Sequence, residues 1–92
     1  MELNKTIIKL YPFLYDGRED YDFSWTWCDF VPESVQEQFD AMCFSVSLQL
    51  KALEIEDFYF IEVKEKYGEL RIYCNKYVEE IERIIRAFDW KI

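Results

Sequence analysis

Four carboxylates, Asp16, Glu19, Asp20 and Asp22, crowd into seven residues of this chain. Carboxylates at that density either ligate a hard cation or present negative charge to a basic surface. A calcium loop runs D-x-[DN]-x-[DN]-G with a distant glutamate. The order Asp16-Gly17-Arg18-Glu19-Asp20-Tyr21-Asp22 departs from it, so no metal site is assigned. A second acidic group, Glu54, Glu56 and Asp57, stands at the end of a long helical pattern, where carboxylates oppose the helix dipole. Between the two groups lie Trp25 and Trp27, with Asp29 beside them. If both groups meet on one face, they imitate a phosphate track. Arg and Lys of a nucleic-acid channel would pair with such a track strongly and in a salt-dependent way. The candidate partner-binding residues are therefore Asp16, Glu19, Asp20, Asp22, Glu54, Glu56 and Asp57 as acceptors, with Trp25 and Trp27 as apolar anchors. The plainer alternative is a solvated acidic surface that keeps a small protein soluble.

Little else in the chain equips it for catalysis. It has no histidine, which removes triads and the commonest general base. Its only glycines, Gly17 and Gly68, cannot build a phosphate-cradling loop. Ser45 and Ser47 fall inside a helical pattern rather than at a strained elbow, and nothing sets two carboxylates at a defined separation. A binding role without enzymatic activity or cofactor is expected. The three cysteines, Cys28, Cys43 and Cys74, show no C-x-x-C spacing, so neither a disulfide framework nor a zinc site is indicated. Cys43 and Cys74 fall on apolar faces as small core residues.

Charge narrows the partner. Nineteen acidic residues against 11 basic ones give a net charge of −8. Residues 1–57 carry 12 acidic and 4 basic side chains, whereas residues 58–92 carry 7 of each. Such a chain disfavours direct contact with nucleic acid or anionic lipid and favours a basic protein. The start of the chain lacks a signal-peptide pattern and no segment has the length of a membrane span, so a cytoplasmic location is expected.

Ninety-two residues with 51% hydrophobic content suffice for one domain with one core. Leu3, Ile7, Leu10 and Leu14 recur at helical spacing, and a first helix should start near residue 3 and stop before Pro12 or soon after it. The ring-rich segment Phe23 to Phe30 is either a short strand or an ordered aromatic loop. Pro32 suits the first turn of a second helix, and Ser34 with Glu37 has capping-box spacing. Val35, Phe39, Met42, Val46, Leu50 and Leu53 form that helix's apolar stripe. Phe44 and Leu48 lie off it, so two buried sides are expected.

Residues 58–64 and 70–74 alternate as hairpin strands. Tyr59, Ile61 and Val63 should share one face with Leu70, Ile72 and Cys74, around a four-residue-type loop with Gly68 at positive φ. Asn75 is the expected N-cap of a last helix carrying Val78, Ile81, Ile85 and Phe88. Lys64, Lys66 and Arg71 alternate with Glu62, Glu65 and Glu69, which reads either as cross-strand charge pairing or as a contact patch of Tyr67, Arg71 and Tyr73. The expected fold is α+β, with two or three helices on a β-hairpin or small antiparallel sheet.

The stretch Glu62-Val63-Lys64-Glu65-Lys66-Tyr67-Gly68-Glu69-Leu70-Arg71-Ile72-Tyr73 resembles the K-E-K-[FY]-G-G-L-R-[FIV]-Y hairpin of small uncharacterised phage and prophage proteins. Glu69 stands where that pattern has its second glycine. Ser24-Trp25-Thr26-Trp27 stands, without a glycine, where relatives carry a G-W-[FY]-like start. The C-x-x-C pair that ends many relatives has no counterpart among Cys28, Cys43 and Cys74, so no metal role carries over. The resemblance implies a phage-type accessory protein in a bacterial host cell. With the acidic groups, the expected function is binding and inhibition of a defence protein, such as a CRISPR effector, by occupying its basic nucleic-acid channel. Two alternatives stand beside it: a homo-oligomeric interaction module (a homodimer through the aromatics), or a sequestering protein for a nucleotide-like signal using Trp25, Trp27, Lys64 and Arg71.

Overall fold

The fold is built on one long helix whose buried positions repeat every three or four residues. The structure, a computed structural model, describes residues 2–15 and 24–92, and the side chains of residues 6–15 and 24–92. Its described elements run α1 (Glu2–Leu10), α2 (Gln36–Ala52), β1 (Phe60–Lys66), β2 (Glu69–Cys74) and α3 (Glu79–Arg86), with short 3-10 turns at Pro12–Leu14, Trp27–Phe30 and Glu33–Val35. The architecture is α+β, as the periodicities indicate. Phe39, Met42, Cys43, Val46 and Leu50 of α2 are buried, and Val35 is buried just ahead of them. Ile81 and Ile85 of α3 join the same core, while Val78 and Phe88 pack against it half-buried.

Several local expectations are corrected. Phe44 and Leu48 are exposed, at 57% and 54%, so α2 buries one side rather than two. Ser34 does not cap α2, because residues Glu33–Val35 form a 3-10 turn and the cap position falls to Val35, which makes no side-chain cap bond. Pro32 precedes that turn instead of opening the helix. A capping box does form upstream, where Thr26 accepts from the Cys28 N–H at 3.2 Å and the Asp29 carboxylate accepts from the Thr26 N–H at 2.9 Å. It opens the 3-10 turn at Trp27–Phe30, so over residues 24–30 the ring-rich segment is an ordered aromatic turn rather than a strand.

The hairpin departs most from simple alternation. β1 and β2 pair antiparallel, but the register breaks between Phe60 and Glu62, which leaves Ile61 as the extra residue of a β-bulge. The bulge turns both Phe60 and Val63 toward the core and leaves Ile61 48% exposed. A strict period of two had put Ile61 inside and missed Phe60. On β2 the alternation holds, with Leu70 buried and Ile72 and Cys74 packed against the core.

The connecting loop has two residues, since Lys66 pairs with Glu69. Tyr67 and Gly68 both take positive φ, at 55° and 76°, as a type I′ turn requires. Only the glycine adopts that conformation without steric cost. The charges pair along the strands, with Lys64 3.2 Å from Glu62 and Arg71 3.4 Å from Glu69. Cross-strand register instead sets Lys64 opposite Arg71, so each glutamate offsets a like-charge contact.

Two features close the hairpin. Trp90 O accepts from the Leu70 N–H and Gly68 O from the Ile92 N–H, both at 2.9 Å, so the final residues cover the outer edge of β2. Asn75 does not cap α3, whose first residue is Glu79. Its side chain instead bridges two backbone groups at the hairpin base, accepting from the Tyr59 N–H at 2.9 Å and donating to Asp57 O at 2.8 Å. Asn75→Ala should lower stability by about 1–3 kcal/mol, since it strands two backbone groups. A fall in the urea midpoint at unchanged slope would register it, and an unshifted midpoint would deny the bridge that role.

Candidate functional site

The acidic turn after α2 is the best-defined of the expected binding residues. The helix ends in a Schellman motif, in which the Ile55 N–H donates to Leu50 O at 3.0 Å and the Glu54 N–H to Lys51 O at 3.1 Å. Glycine normally occupies the left-handed position of this motif. Here it is Glu54, at φ 56°. A β-carbon in that conformation costs about 1–2 kcal/mol. Glu54, Glu56 and Asp57 are all exposed and all lie beyond the last helical residue, Ala52.

These three carboxylates have different surroundings. Asp57 pairs with Lys76, and that hydrogen bond, ahead of its own backbone bond and the Lys76 charge, holds its carboxyl below the usual value of 3.8. Its backbone carbonyl is also anchored by Asn75. Asp57 is therefore a structural tie as well as a surface charge. Glu54 and Glu56 border a groove of about 590 Å³ with Lys9 and Lys51 on its lining and Phe13, Leu50 and Phe58 in contact with it. The groove's charges are mixed, so the turn is not a purely acidic surface.

Asp16, Glu19, Asp20 and Asp22 lie outside the described residues, and so does their relation to the turn. Trp25 and Trp27 are described and occupy one aromatic cluster with Phe30. Trp25 lies 4.9 Å from Trp27 and 5.7 Å from Phe30, and Trp27 lies 5.3 Å from Phe30, centroid to centroid. Trp27 also has a structural task, because its indole N–H donates to Phe60 O at 2.8 Å. Phe30, which the sequence pattern did not single out as a contact residue, is the exposed member of this cluster.

The thiols are poorly suited to nucleophilic work. Burial, before any neighbouring charge, raises all three: Cys74 is pushed to about 12, with Glu82 a further cause, and Cys28 and Cys43 also rise. Tyr67 is 87% exposed at the hairpin tip, Tyr73 is partly exposed, and Arg71 is half-buried between its neighbours. Comparison with known protein families, curated proteins and solved structures finds no match for this chain.

Two outcomes follow from this geometry. Glu54→Gly should raise stability by about 1 kcal/mol, visible as a higher urea midpoint, because it relieves the left-handed residue; a lower midpoint would contradict the strain. Asp57 has a depressed folded-state value, so its contribution is present above the unfolded value near 3.8 and lost as pH falls through the folded one. Asp57→Asn should therefore flatten the acid limb of the stability profile, read by thermal melts in mildly and strongly acidic buffers. An unchanged acid limb would mean that the Lys76 pair contributes nothing.

Proposed function

We propose that this protein is a phage-type accessory domain that binds a basic, nucleic-acid-binding host protein and blocks its channel. In its sharpest form the target is a bacterial defence effector of the CRISPR type. Glu54 and Glu56, with Asp16, Glu19, Asp20 and Asp22, act as phosphate-like acceptors, and Trp25 with Phe30 supplies apolar contact beside Trp27. The observation that carries this reading is Glu54 itself. An exposed carboxylate stands in a left-handed conformation where glycine would cost less, and it does so at a helix C-terminus, where negative charge is unfavourable. Structure alone gives no reason to keep it there, whereas a basic partner does.

The distribution of charge supports the same reading. In residues 58–92 four basic side chains pair with a glutamate on their own element: Lys64, Arg71, Arg83 and Arg86. The acidic excess resides in residues 1–57. A surface that keeps its unbalanced charge in one half of the chain steers an oppositely charged partner.

Charge reversal tests the proposal. Bacterial proteins captured on the tagged chain would be compared for wild type, for Glu54→Lys/Glu56→Lys and for Asp16→Lys/Glu19→Lys/Asp20→Lys/Asp22→Lys, with Asp57 left to its structural tie. Retention of a nucleic-acid-binding protein should fall at least tenfold, about 1.4 kcal/mol, in both variants while circular dichroism stays unchanged. Undiminished retention in both would refute charge mimicry.

A further inference from the structure

The outer side of α2 carries a second surface, which meets the acidic turn only at Lys51. Its exposed residues are Glu37, Asp40, Ala41, Phe44, Leu48, Lys51 and Ala52, which at 3.6 residues per turn form one stripe opposite the buried Phe39, Met42, Cys43, Val46 and Leu50. Phe44 and Leu48 stand at its centre, 57% and 54% exposed, one turn apart. Two large apolar side chains at i and i+4 on a solvent-facing helix are a contact feature that a solvated face does not need.

The order along this stripe is self-complementary. Positions 40, 41 and 44 mirror positions 52, 51 and 48 about residue 46. When two such helices lie antiparallel across a two-fold axis at that level, Phe44 of each copy meets Leu48 of the other. Ala41 faces Lys51, and Ala52 faces Asp40. Asp40 then lies one residue from the partner's Lys51, an axial offset of about 1.5 Å, and this ion pair forms twice. The alanines keep the two ends of the contact shallow enough for the helices to approach. Glu37 lies beyond the pairing, at a level where the partner helix has already ended at Ala52. A parallel pair would set Asp40 against Asp40 and Lys51 against Lys51. The charge order therefore selects the antiparallel arrangement, and an isologous contact of this kind closes on itself as a dimer.

We infer that the exposed face of α2 is a homodimer interface, formed by antiparallel packing of Phe44 and Leu48 of two copies and flanked by reciprocal Asp40–Lys51 pairs. The stripe from Asp40 to Ala52 is about 18 Å long, so the contact belongs at the small end of specific interfaces and the dimer dissociates on dilution. The two acidic turns of the dimer emerge at opposite ends of the helix pair. The interface uses none of the residues assigned to partner binding, so it stands independently of the proposed function.

Sedimentation equilibrium of the full chain, from about 10 μM to about 1 mM, tests the inference, since this range brackets weak dimer constants. The weight-average mass should rise from monomer toward dimer. Phe44→Asp and Leu48→Asp should each remain monomeric across the range with melting temperatures close to wild type, because both side chains are mostly solvated. Asp40→Lys should weaken association at least fivefold, and the double variant Asp40→Lys/Lys51→Asp should restore it. A wild-type monomer throughout, a dimer that survives Phe44→Asp, or a double variant no better than Asp40→Lys would each overturn the proposal.

Discussion

Phe60 is the residue on which the rest of the fold depends. It is fully buried, and rings from three separate segments contact it: Phe13 at 5.1 Å, Phe58 at 6.1 Å and Phe39 of α2 at 6.4 Å. Its backbone carbonyl accepts the Trp27 indole N–H. The segment after α1, the aromatic 3-10 turn, the central helix and the hairpin thus meet at one residue. Burying a phenylalanine contributes about 1.5–3 kcal/mol, and edge-on ring pairs add about 0.5–1.5 kcal/mol each. A chain of this size has only one core to draw on, so a defect at Phe60 would loosen every element together. The bulge at Ile61 is what makes the convergence feasible, since without it Phe60 and Val63 would lie on opposite faces of the sheet.

Among the described residues two bulky ones, Glu54 and Tyr67, hold positive φ angles, and both are on the surface. At about 1–2 kcal/mol each, they are appreciable against a total stability of about 5–15 kcal/mol for a domain. Their settings differ. Tyr67 shares a type I′ turn with Gly68 and projects an aromatic ring at the hairpin tip, with the Lys66 ammonium 5.6 Å from its ring centroid. Glu54 occupies the glycine position of a helix stop, between Lys51 and the anchored Asp57. The first reads as turn chemistry stretched to place an aromatic. The second places charge where the helix itself disfavours it, and this contrast is why the acidic turn rather than the hairpin tip carries the functional proposal.

The elements were legible wherever a single period persisted, although the first stripe counted Leu10 as apolar face and it is 63% exposed. The stripe Val35, Phe39, Met42, Val46, Leu50 and Leu53 marked α2, with its first and last members falling just outside the helix, and Val78, Ile81, Ile85, Phe88 marked α3, because burial on one side forces a 3.6-residue repeat. Legibility failed where a tertiary contact overrode the local pattern. The bulge at Ile61 is dictated by the core around Phe60, which periodicity along one strand does not report. Asn75 looked like a cap because capping and hairpin bridging use the same side-chain geometry. Thr26-Trp27-Cys28-Asp29 has the same box spacing as Ser34 with Glu37, but only the former has its turn at the right place. Of the candidate site, the exposure of Glu54, Glu56 and Asp57 was readable from their position after the helix. The strain at Glu54, the tie from Asp57 to Lys76 and the structural duty of Trp27 were not, since each depends on residues distant in sequence or on a backbone angle.

The acidic turn after α2 and the aromatic cluster of Trp25, Trp27 and Phe30 are the surfaces on which the proposed contact rests. In the proposed complex the acidic residues stand in for phosphates. The most direct measurement is competition: the complex with its captured basic partner would be titrated with duplex DNA at several salt concentrations. Charge mimicry predicts that DNA displaces this protein, and that its affinity for the partner falls steeply as salt rises. A complex that resists both DNA and salt would rule out charge mimicry.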